Sequence, residues 1–249
     1  MTLMLKCLES LKILHIEPTN ICQAECPQCS RELNKEFDKN NQKSLTVEDI
    51  KNIIPDNIIA NLEKMFLCGV YGDPAAGDAL EIYKHFRTIN PNIVLGMNTN
   101  GALQSSSWWS SLGEILNHQQ DYVIFSLDGL EDTNQIYRKN VIWKKAMSNI
   151  IAFIEAGGNA HWDMLVYRHN EHQVDECMKL AKDLGFVAFR AKVSKRFEYK
   201  PIDGLEPPQV YEPQLEYGSV SCHALAEHSI FMDYRGELYP CCWLGGEKY

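Results

Sequence analysis

Three cysteines lie within eight residues in the stretch Cys22-Gln23-Ala24-Glu25-Cys26-Pro27-Gln28-Cys29. The stretch follows an apolar run, residues 11–16, which has the character of a strand. A cubane iron–sulfur cluster is usually held by four cysteines, and a structural zinc ion by four ligands in two spaced pairs. Three cysteines in one loop would leave one iron of a cubane open to a small molecule. The alternatives are a zinc knuckle completed by a distant Cys or His, and three cysteines that bind no metal.

The composition limits the classes of protein to which this chain can belong. It has 249 residues, 45% of them hydrophobic, and a formal net charge of −9. This length fits one barrel-type domain, or a domain with a small appendage, with a sizeable core. The negative charge argues against a general nucleic-acid binder, which needs a basic surface.

The nine cysteines are clustered and odd in number, unlike a disulfide framework. No stretch approaches the roughly 20 apolar residues of a transmembrane helix, and no signal peptide opens the chain. The sequence therefore predicts a cytoplasmic protein without a membrane or nucleic-acid partner, whose cysteines bind metal or do chemistry.

Apolar runs and helical patterns alternate along the first 193 residues. Strands are predicted at residues 11–16, 64–69, 92–97, 121–126, 160–167 and 186–193. Helices are predicted to start at residue 45 and to span residues 78–90, 107–117, 141–156 and 171–184. Apolar strands linked by helices indicate a parallel sheet with covered faces, which right-handed crossovers curl toward a barrel. Six units are too few for a closed eight-unit barrel, so the predicted fold is an open, TIM-like partial (β/α)6 barrel.

Polar and glycine-rich segments follow the predicted strands, where sheets of this kind place their function. They are Gly69-Val70-Tyr71-Gly72-Asp73-Pro74, Asn98-Thr99-Asn100-Gly101, Ser126-Leu127-Asp128-Gly129 with Arg138 shortly after, and Tyr167-Arg168-His169-Asn170. Each has an ordinary structural explanation: a tight loop, an Asn-Gly turn, a surface ion pair of Arg138, and helix N-caps at Ser126 and Asn170. The order of these segments along the chain is stronger evidence for a shared functional site than any one segment alone.

The cysteine spacing, with Arg31 behind it, resembles the signature of the radical S-adenosylmethionine (radical SAM) enzymes. The resemblance covers about residues 11–193. It implies a [4Fe–4S] cluster on Cys22, Cys26 and Cys29, with SAM bound to the open iron through its amino and carboxylate groups. Reductive cleavage of SAM in that family yields a 5′-deoxyadenosyl radical that abstracts a substrate hydrogen.

The resemblance also implies roles for the residues at the strand ends. Gly72 and Asp73 look like the glycine–glycine–glutamate segment that binds the SAM amino group, with Asp where Glu is usual. Asn98 directly precedes, and Asn100 lies within, a segment similar to the Thr-Asn-Gly tripeptide that many family members carry near the SAM pocket. Further residues are assigned to SAM binding by position: Ser126 and Arg138 at the carboxylate, and Asn170 near the adenine. For Asn170, capping of the next helix is the preferred role.

The sequence pattern changes from Pro201 onward. Four prolines there indicate a linker or a lid: Pro201, Pro207, Pro208 and Pro213. The turn Asp233–Gly236 predicts a hairpin. Cys222, Gly236 and Cys241 resemble the opening of the SPASM/Twitch extension, which implies one auxiliary iron–sulfur cluster on Cys222, Cys241 and Cys242. The alternative is a hairpin with reduced buried cysteines. We therefore predict a barrel over residues 1–200 and an extension over residues 201–249.

Three functions remain open. The first is a radical SAM enzyme of the SPASM type acting on a peptide or protein, with an electron donor such as flavodoxin or ferredoxin. The second is a small-molecule oxidoreductase of the Twitch type, and the third a non-catalytic zinc-binding barrel. Only about ten residues precede the first strand, so no leader-peptide-binding domain is expected there.

Overall fold

The computed structural model describes residues 10–197, 201–210 and 222–246. Eight strands of these segments form one sheet in the order β6-β5-β4-β3-β2-β1-β7-β8. The strands are β1 (Ile13–Ile16), β2 (Lys64–Leu67), β3 (Val94–Thr99), β4 (Tyr122–Ser126), β5 (Ala160–Val166), β6 (Ala188–Val193), β7 (Ser229–Met232) and β8 (Leu238–Tyr239). All neighbouring pairs are parallel except β7 and β8. The six predicted strands and the partial-barrel fold are confirmed.

The five predicted helices are found at or close to their predicted positions, and the described segments contain five further short helices that were not predicted. Their bounds are Ser30–Leu33, Val47–Ile53, Asp56–Ile59, Ala79–Ile89, Ser106–Ile115, Asn134–Tyr137, Trp143–Glu155, Val174–Asp183, His223–Ala226 and Cys242–Gly246. Thr46 and Asp49 form a capping box that starts the helix Val47–Ile53. Ser105 caps the helix Ser106–Ile115 by accepting the N–H of Trp108. Among the described residues, no helix has the length and apolar character needed to cross a membrane.

The two faces of the sheet differ in chemistry because strand side chains alternate between them. Phe125 of β4 and Trp162 of β5 are fully buried and pack on aromatic rings of the helices, including Trp109 and Trp143. The other face, which we call the inner face, carries Ser126 of β4, Asp163 of β5 and Arg190 of β6, which are paired in register. The inner face therefore carries polar groups toward the carboxyl ends of the strands.

The carboxyl-terminal hairpin belongs to this same sheet. β7 runs parallel to β1, with Ile13 opposite Ser229 and Ile16 opposite Met232. β8 then returns antiparallel to β7. The predicted hairpin is confirmed, and its place beside β1 is a finding that the local turn pattern did not reveal. The division at residue 200, Pro213 and part of the predicted linker lie outside the described residues.

Candidate functional site

The three cysteines of the amino-terminal loop lie directly after β1. The backbone N–H of Cys29 donates to the carbonyl of Cys26 at 2.9 Å, and Cys29 occupies the N-cap position of the helix Ser30–Leu33. Cys26 is buried, while Cys22 and Cys29 are half-buried. The loop is anchored on its far side because Glu25 N–H donates to the carbonyl of Lys139 at 3.1 Å. The sequence therefore folds into a short, fixed loop that presents three thiols together.

The surroundings of these thiols disfavour isolated negative charge. Burial, followed by the charge of Asp73, raises the pKa of Cys22 to about 12. Burial raises the pKa of Cys26 as well, although the Arg138 guanidinium acts in the opposite direction. A cationic metal centre that binds the thiolates would offset this cost, because it supplies the positive charge that the buried loop lacks.

Arg31 ties the cysteine loop to the loop that follows β2. Its side chain is buried, and its guanidinium donates to the backbone carbonyl of Asn20 and, at 3.3 Å, to that of Tyr71. Cys29 Sγ also lies 3.8 Å from the carbonyl oxygen of Val70. The residue predicted from the family signature thus has a structural role in holding two site loops together.

A buried carboxylate that sequence reasoning missed organises the same loop. Glu17, directly after β1, accepts backbone N–H groups of Val70, Tyr71 and Gly72 at 2.7, 2.6 and 3.1 Å, all at Oε1. Burial raises the pKa of Glu17 to about 7, although the three backbone donors act against this shift. The available signal in the sequence was an acid placed immediately after a buried strand and before Pro18.

Glycines permit the close approach of chain segments in this loop. A Cβ at Gly72 would lie 1.9 Å from the carbonyl oxygen of Thr19, and a Cβ at Gly69 would lie 1.7 Å from that of Gly72. Both neighbours are backbone atoms, which cannot move away without shifting the loop. Gly72 is therefore required for the contact between the residue 69–72 loop and the segment that leads into the cysteines.

Asp73 is buried and directed at the turn that follows β3. Its carboxylate accepts hydrogen bonds from the Thr99 hydroxyl at 2.8 Å, from Asn100 N–H at 2.8 Å, and from Asn100 Nδ2 at 2.6 Å. Burial raises its pKa, and it forms no ion pair with any described residue. The predicted neighbours Asp73 and Asn100 are thus brought together, and the charge of Arg138 acts on Asp73 from beyond direct contact.

Asn100 extends this network to the cysteine loop. Its Oδ1 accepts a hydrogen bond from Gln23 Nε2 at 2.7 Å, and its Nδ2 lies 3.9 Å from Cys22 Sγ. Gln23 is adjacent to the first cysteine, so a chain of polar contacts runs from Asp73 through Asn100 to the cysteine loop. This juxtaposition places the segments that follow β2 and β3 beside the cysteines.

Arg138 lies on the opposite side of the cysteine loop. Its Nε donates to Asp128 Oδ2 at 2.6 Å, and one terminal nitrogen lies 3.9 Å from Cys26 Sγ. Asp128 is fully buried and also accepts the N–H of Leu165 at 2.7 Å. Arg138 is therefore held by an ion pair that leaves its terminal nitrogens free of Asp128, with one of them at the cysteine loop.

Two further predicted residues have unused polar atoms. Ser126 ends β4 on the inner face, and Asn98 is exposed near the end of β3. Within the described segments, neither side chain makes a hydrogen bond to another residue. Both lie near the carboxyl ends of their strands, where the sequence predicts the SAM site.

Asn170 does not have the helix-capping role that the sequence predicts for it. It occupies the N-cap position of the 3-10 turn Glu171–Gln173, but its side chain makes no capping hydrogen bond. Its Oδ1 instead accepts the N–H of Tyr167, and its Nδ2 donates to the carbonyls of Asp128 and Leu165. The capping prediction was wrong because the buried side chain joins the loops after β4 and β5.

The carboxyl-terminal cysteines lie beside the hairpin. Cys222 is exposed, and Cys241 and Cys242 are half-buried. Cys222 and Pro240, the residue before Cys241, line one cavity of about 340 Å³. Burial raises the pKa of the Cys68 thiol, and the nearby thiol of Cys242 raises it further. Cys68 directly follows β2, so the end of this strand lies near Cys242. Within the described segments, no three His, Cys, Asp or Glu side chains are arranged to hold one metal ion.

Comparison with solved structures gives the fold neighbours of this chain. Streptococcus suis SuiB bound to its precursor peptide SuiA matches with a TM-score of 0.68 and 15% identity, over 99% of this chain and 64% of that one. The structure of anSMEcpe with AdoMet and a peptide matches with a TM-score of 0.54 and 19% identity, over 72% and 50% of the two chains. Methylornithine synthase matches with a TM-score of 0.54 and 12% identity, over 80% and 58%. The chain thus spans less than two thirds of the length of each.

No curated protein sequence matches this chain. The model of the radical SAM superfamily matches residues 16–186, which run from the end of β1 to the segment before β6 and include the cysteine loop and every strand-end segment described above. The match covers well over half of the sequence, and the fold and the clustered cysteines agree with it. The chain belongs to the radical SAM superfamily.

Proposed function

We propose that this chain is a radical SAM enzyme that holds a [4Fe–4S] cluster on Cys22, Cys26 and Cys29 and acts on a peptide or protein. The observation that carries the proposal is the convergence of these thiols with the buried carboxylate of Asp73, which has no direct ion pair among the described residues, and with the guanidinium of Arg138. SAM carries an ammonium and a carboxylate, which match these two charges.

The donor set suits a cluster better than a single zinc ion. Thiolates that share one zinc lie about 3.8 Å apart, because each Zn–S bond is about 2.3 Å in tetrahedral geometry. The cysteines of a cubane each bind a different iron, so their sulfurs stay farther apart. The amino-terminal loop supplies three thiols, one fewer than the four ligands of a structural zinc site, which suits a cubane whose fourth iron stays open.

When bound, the cluster supplies the electron that cleaves SAM to the 5′-deoxyadenosyl radical. The protein's own residues bind and orient the reactants. Arg138 offers paired N–H donors to the SAM carboxylate, while Asp128 fixes the guanidinium. Asp73 attracts the ammonium through its charge and shapes the turn at Asn100. Gly72, Asn98 and Ser126 complete the proposed SAM site, and Asn170 supports it by joining the loop after β4 to the end of β5.

A peptide substrate is supported by two features. SuiB and anSMEcpe, which share this fold, were solved with peptides bound. The spacing of Cys222, Gly236 and Cys241 resembles the SPASM/Twitch extension, and an auxiliary cluster there is part of the proposal. A flavodoxin or ferredoxin would supply the electron. The second candidate function is a small-molecule oxidoreductase of the Twitch type. The fold match to methylornithine synthase supports a small-molecule substrate.

The test is anaerobic reconstitution with iron and sulfide, followed by incubation with SAM and a strong reductant. We expect a [4Fe–4S] spectrum and formation of 5′-deoxyadenosine, both lost when Cys22, Cys26 and Cys29 are replaced by alanine. Stoichiometric zinc, with neither iron nor 5′-deoxyadenosine, would overturn the proposal and favour the non-catalytic zinc-binding barrel.

A further inference from the structure

Two cations converge on one carboxylate of the inner face, next to the proposed SAM site. Arg190 of β6 binds Asp163 of β5 in a bidentate pair, with Nε–Oδ1 at 3.0 Å and Nη2–Oδ2 at 2.5 Å. Lys192 Nζ lies 2.7 Å from the same Oδ2. Two positive charges meet one negative charge, so the group carries a net charge of +1.

The register of the sheet fixes where this group lies. Ser126, at the end of β4, is opposite Asp163, and Asp163 is opposite Arg190. In parallel strands, residues in register share a face, so the three side chains form one row across the inner face. Trp162, the neighbour of Asp163, is buried on the helix side. The cations therefore flank the position proposed for the SAM carboxylate, on the side of β6.

The cations are accessible to a ligand, whereas the carboxylate is not. The side chains of Arg190 and Lys192 are 60% and 46% exposed, and that of Asp163 is 11% exposed. A guanidinium has five N–H donors and an ammonium has three. Since Asp163 takes two donors from Arg190 and one from Lys192, both cations retain N–H groups that point to solvent or to a ligand.

The local positive charge contrasts with the net charge of −9 of the chain as a whole. Arg138 adds a third cation near the carboxyl ends of the strands, although Asp128 pairs with it. Local cations in an acidic protein concentrate anionic ligands at one place and repel them elsewhere. A structural ion pair would need only one of the two cations, since Arg190 alone neutralises Asp163.

We propose that Arg190 and Lys192 form a substrate subsite that binds a carboxylate, supplied by an acidic side chain or by the C terminus of a peptide. The subsite rests on the proposed function for its role in catalysis. Asp163 holds both cations in place and limits their excess charge to one. A substrate bound there would lie across the inner face beside Ser126, within the part of the barrel that also receives SAM.

The experiment uses reconstituted protein with SAM and three fluorescently labelled pentapeptides. One has a central Glu and an amidated C terminus, the second has Gln in place of Glu, and the third is the Gln peptide with a free C terminus. Anisotropy titrations at low and at physiological ionic strength give the dissociation constants. We expect the Glu peptide, the free-C-terminus peptide or both to bind at least about threefold more tightly than the neutral one, a modest ratio because the cations are partly exposed.

Variants separate a ligand site from a structural ion pair. Lys192→Gln and Arg190→Gln should abolish the preference for the carboxylate, whereas Lys182→Gln, at an exposed position of the helix Val174–Asp183, should retain it. Asp163→Asn removes the negative charge, so it should increase the preference. A structural role for the three residues predicts no such gain.

The inference is overturned if wild-type protein binds all three peptides equally, or if the Lys192→Gln variant keeps the preference. It is also overturned if Lys192→Gln weakens SAM binding instead, because the cations would then serve the cofactor. Formation of 5′-deoxyadenosine from SAM alone is measured in parallel. Its absence would count against the proposed function, while the peptide titrations test the subsite independently.

Discussion

The carboxylate of Glu17 lies 2.6 Å from the backbone nitrogen of Tyr71, one of three consecutive amides that donate to its Oε1. Glu17 directly follows β1 and Tyr71 lies in the loop after β2, so a single side chain aligns two strand ends. The same loop contains Gly72 and receives Arg31 from the helix after the cysteines. The geometry of the proposed SAM site therefore depends on a residue that need not touch SAM.

The stability of the protein should fall as Glu17 ionises. Its pKa in the folded state is about 7, raised by burial from 4.5, so folding favours the protonated form. This contribution is fully present below pH 4.5 and is lost as the pH rises through 7. Because the shift is about 2.5 units, wild-type protein should lose up to about 3 kcal/mol relative to Glu17→Gln over this range. Urea denaturation at several pH values measures the difference; parallel pH profiles would contradict the assignment.

Arg138→Ala should weaken SAM binding while the cluster remains. The loss of charge-assisted hydrogen bonds costs about 1.5–3 kcal/mol, or roughly tenfold to a hundredfold in affinity. The control is Arg87→Ala, which breaks the buried ion pair between Arg87 and Asp121. The two side chains of that pair have the same exposure as those of Arg138 and Asp128. Both variants should lose stability, but only Arg138→Ala should lose SAM affinity. Equal SAM affinity in the two variants would exclude Arg138 from the site.

Asp73→Ala should also weaken SAM binding, by loss of its charge and by loosening of the turn at Asn100. Asp73→Asn separates these effects, since the amide oxygen can still accept the Asn100 N–H. If attraction of the ammonium dominates, the Asn variant should bind SAM about as weakly as the Ala variant. Near-wild-type affinity in the Asn variant would instead assign Asp73 a purely structural role.

Gly72→Ala should disrupt the site, whereas Gly77→Ala should be tolerated. A Cβ at position 72 meets the carbonyl oxygen of Thr19 at 1.9 Å, but a Cβ at position 77 meets its nearest atom at 3.4 Å. We expect Gly72→Ala to bind less SAM and to be destabilised by at least about 1 kcal/mol. Thermal denaturation and equilibrium binding of SAM test the pair. Similar behaviour of both variants would contradict the close approach of the two loops.

Iron content tests the carboxyl-terminal cysteines. One auxiliary [4Fe–4S] cluster there would bring wild-type protein to about eight irons. The Cys22/Cys26/Cys29 triple alanine variant should then keep roughly half of them, and Cys222→Ala or Cys241→Ala should remove that remainder. Cys177→Ala, at a buried helix position away from both groups, is the control. About four irons in wild type, all lost in the triple variant, would show that the hairpin cysteines are structural.

Local sequence patterns predicted much of this fold because they report local physics. Buried strands such as β2 are short apolar runs, and the helix after Thr46 has a capping box that two side chains specify. The strand-end segments were recognisable because glycine and polar residues interrupt the apolar pattern there. The grouping of Asp73 with Asn100 followed from the parallel order of β2 and β3.

Other features depend on contacts between distant residues and left no local pattern. Glu17 is recognisable as a loop organiser only when the residue 69–72 backbone is seen around it. Asn170 satisfies every local criterion for an N-cap, yet tertiary contacts at Asp128 and Leu165 take its side chain. The pairing of Arg190 and Lys192 with Asp163 requires the register of β5 and β6, which the sequence of neither strand specifies.

The position of β7 beside β1 has a consequence for biosynthesis. The strand that leads into the cysteine loop is flanked by β2 on one side and by a strand ending at Met232 on the other. During translation, one edge of β1 therefore stays unpaired until β7 has left the ribosome. Contacts so distant along the chain form late in folding. Loading of the proposed cluster into the loop is thus expected to follow the synthesis of β7, and nascent chains that end before residue 229 should be more exposed to proteases near β1.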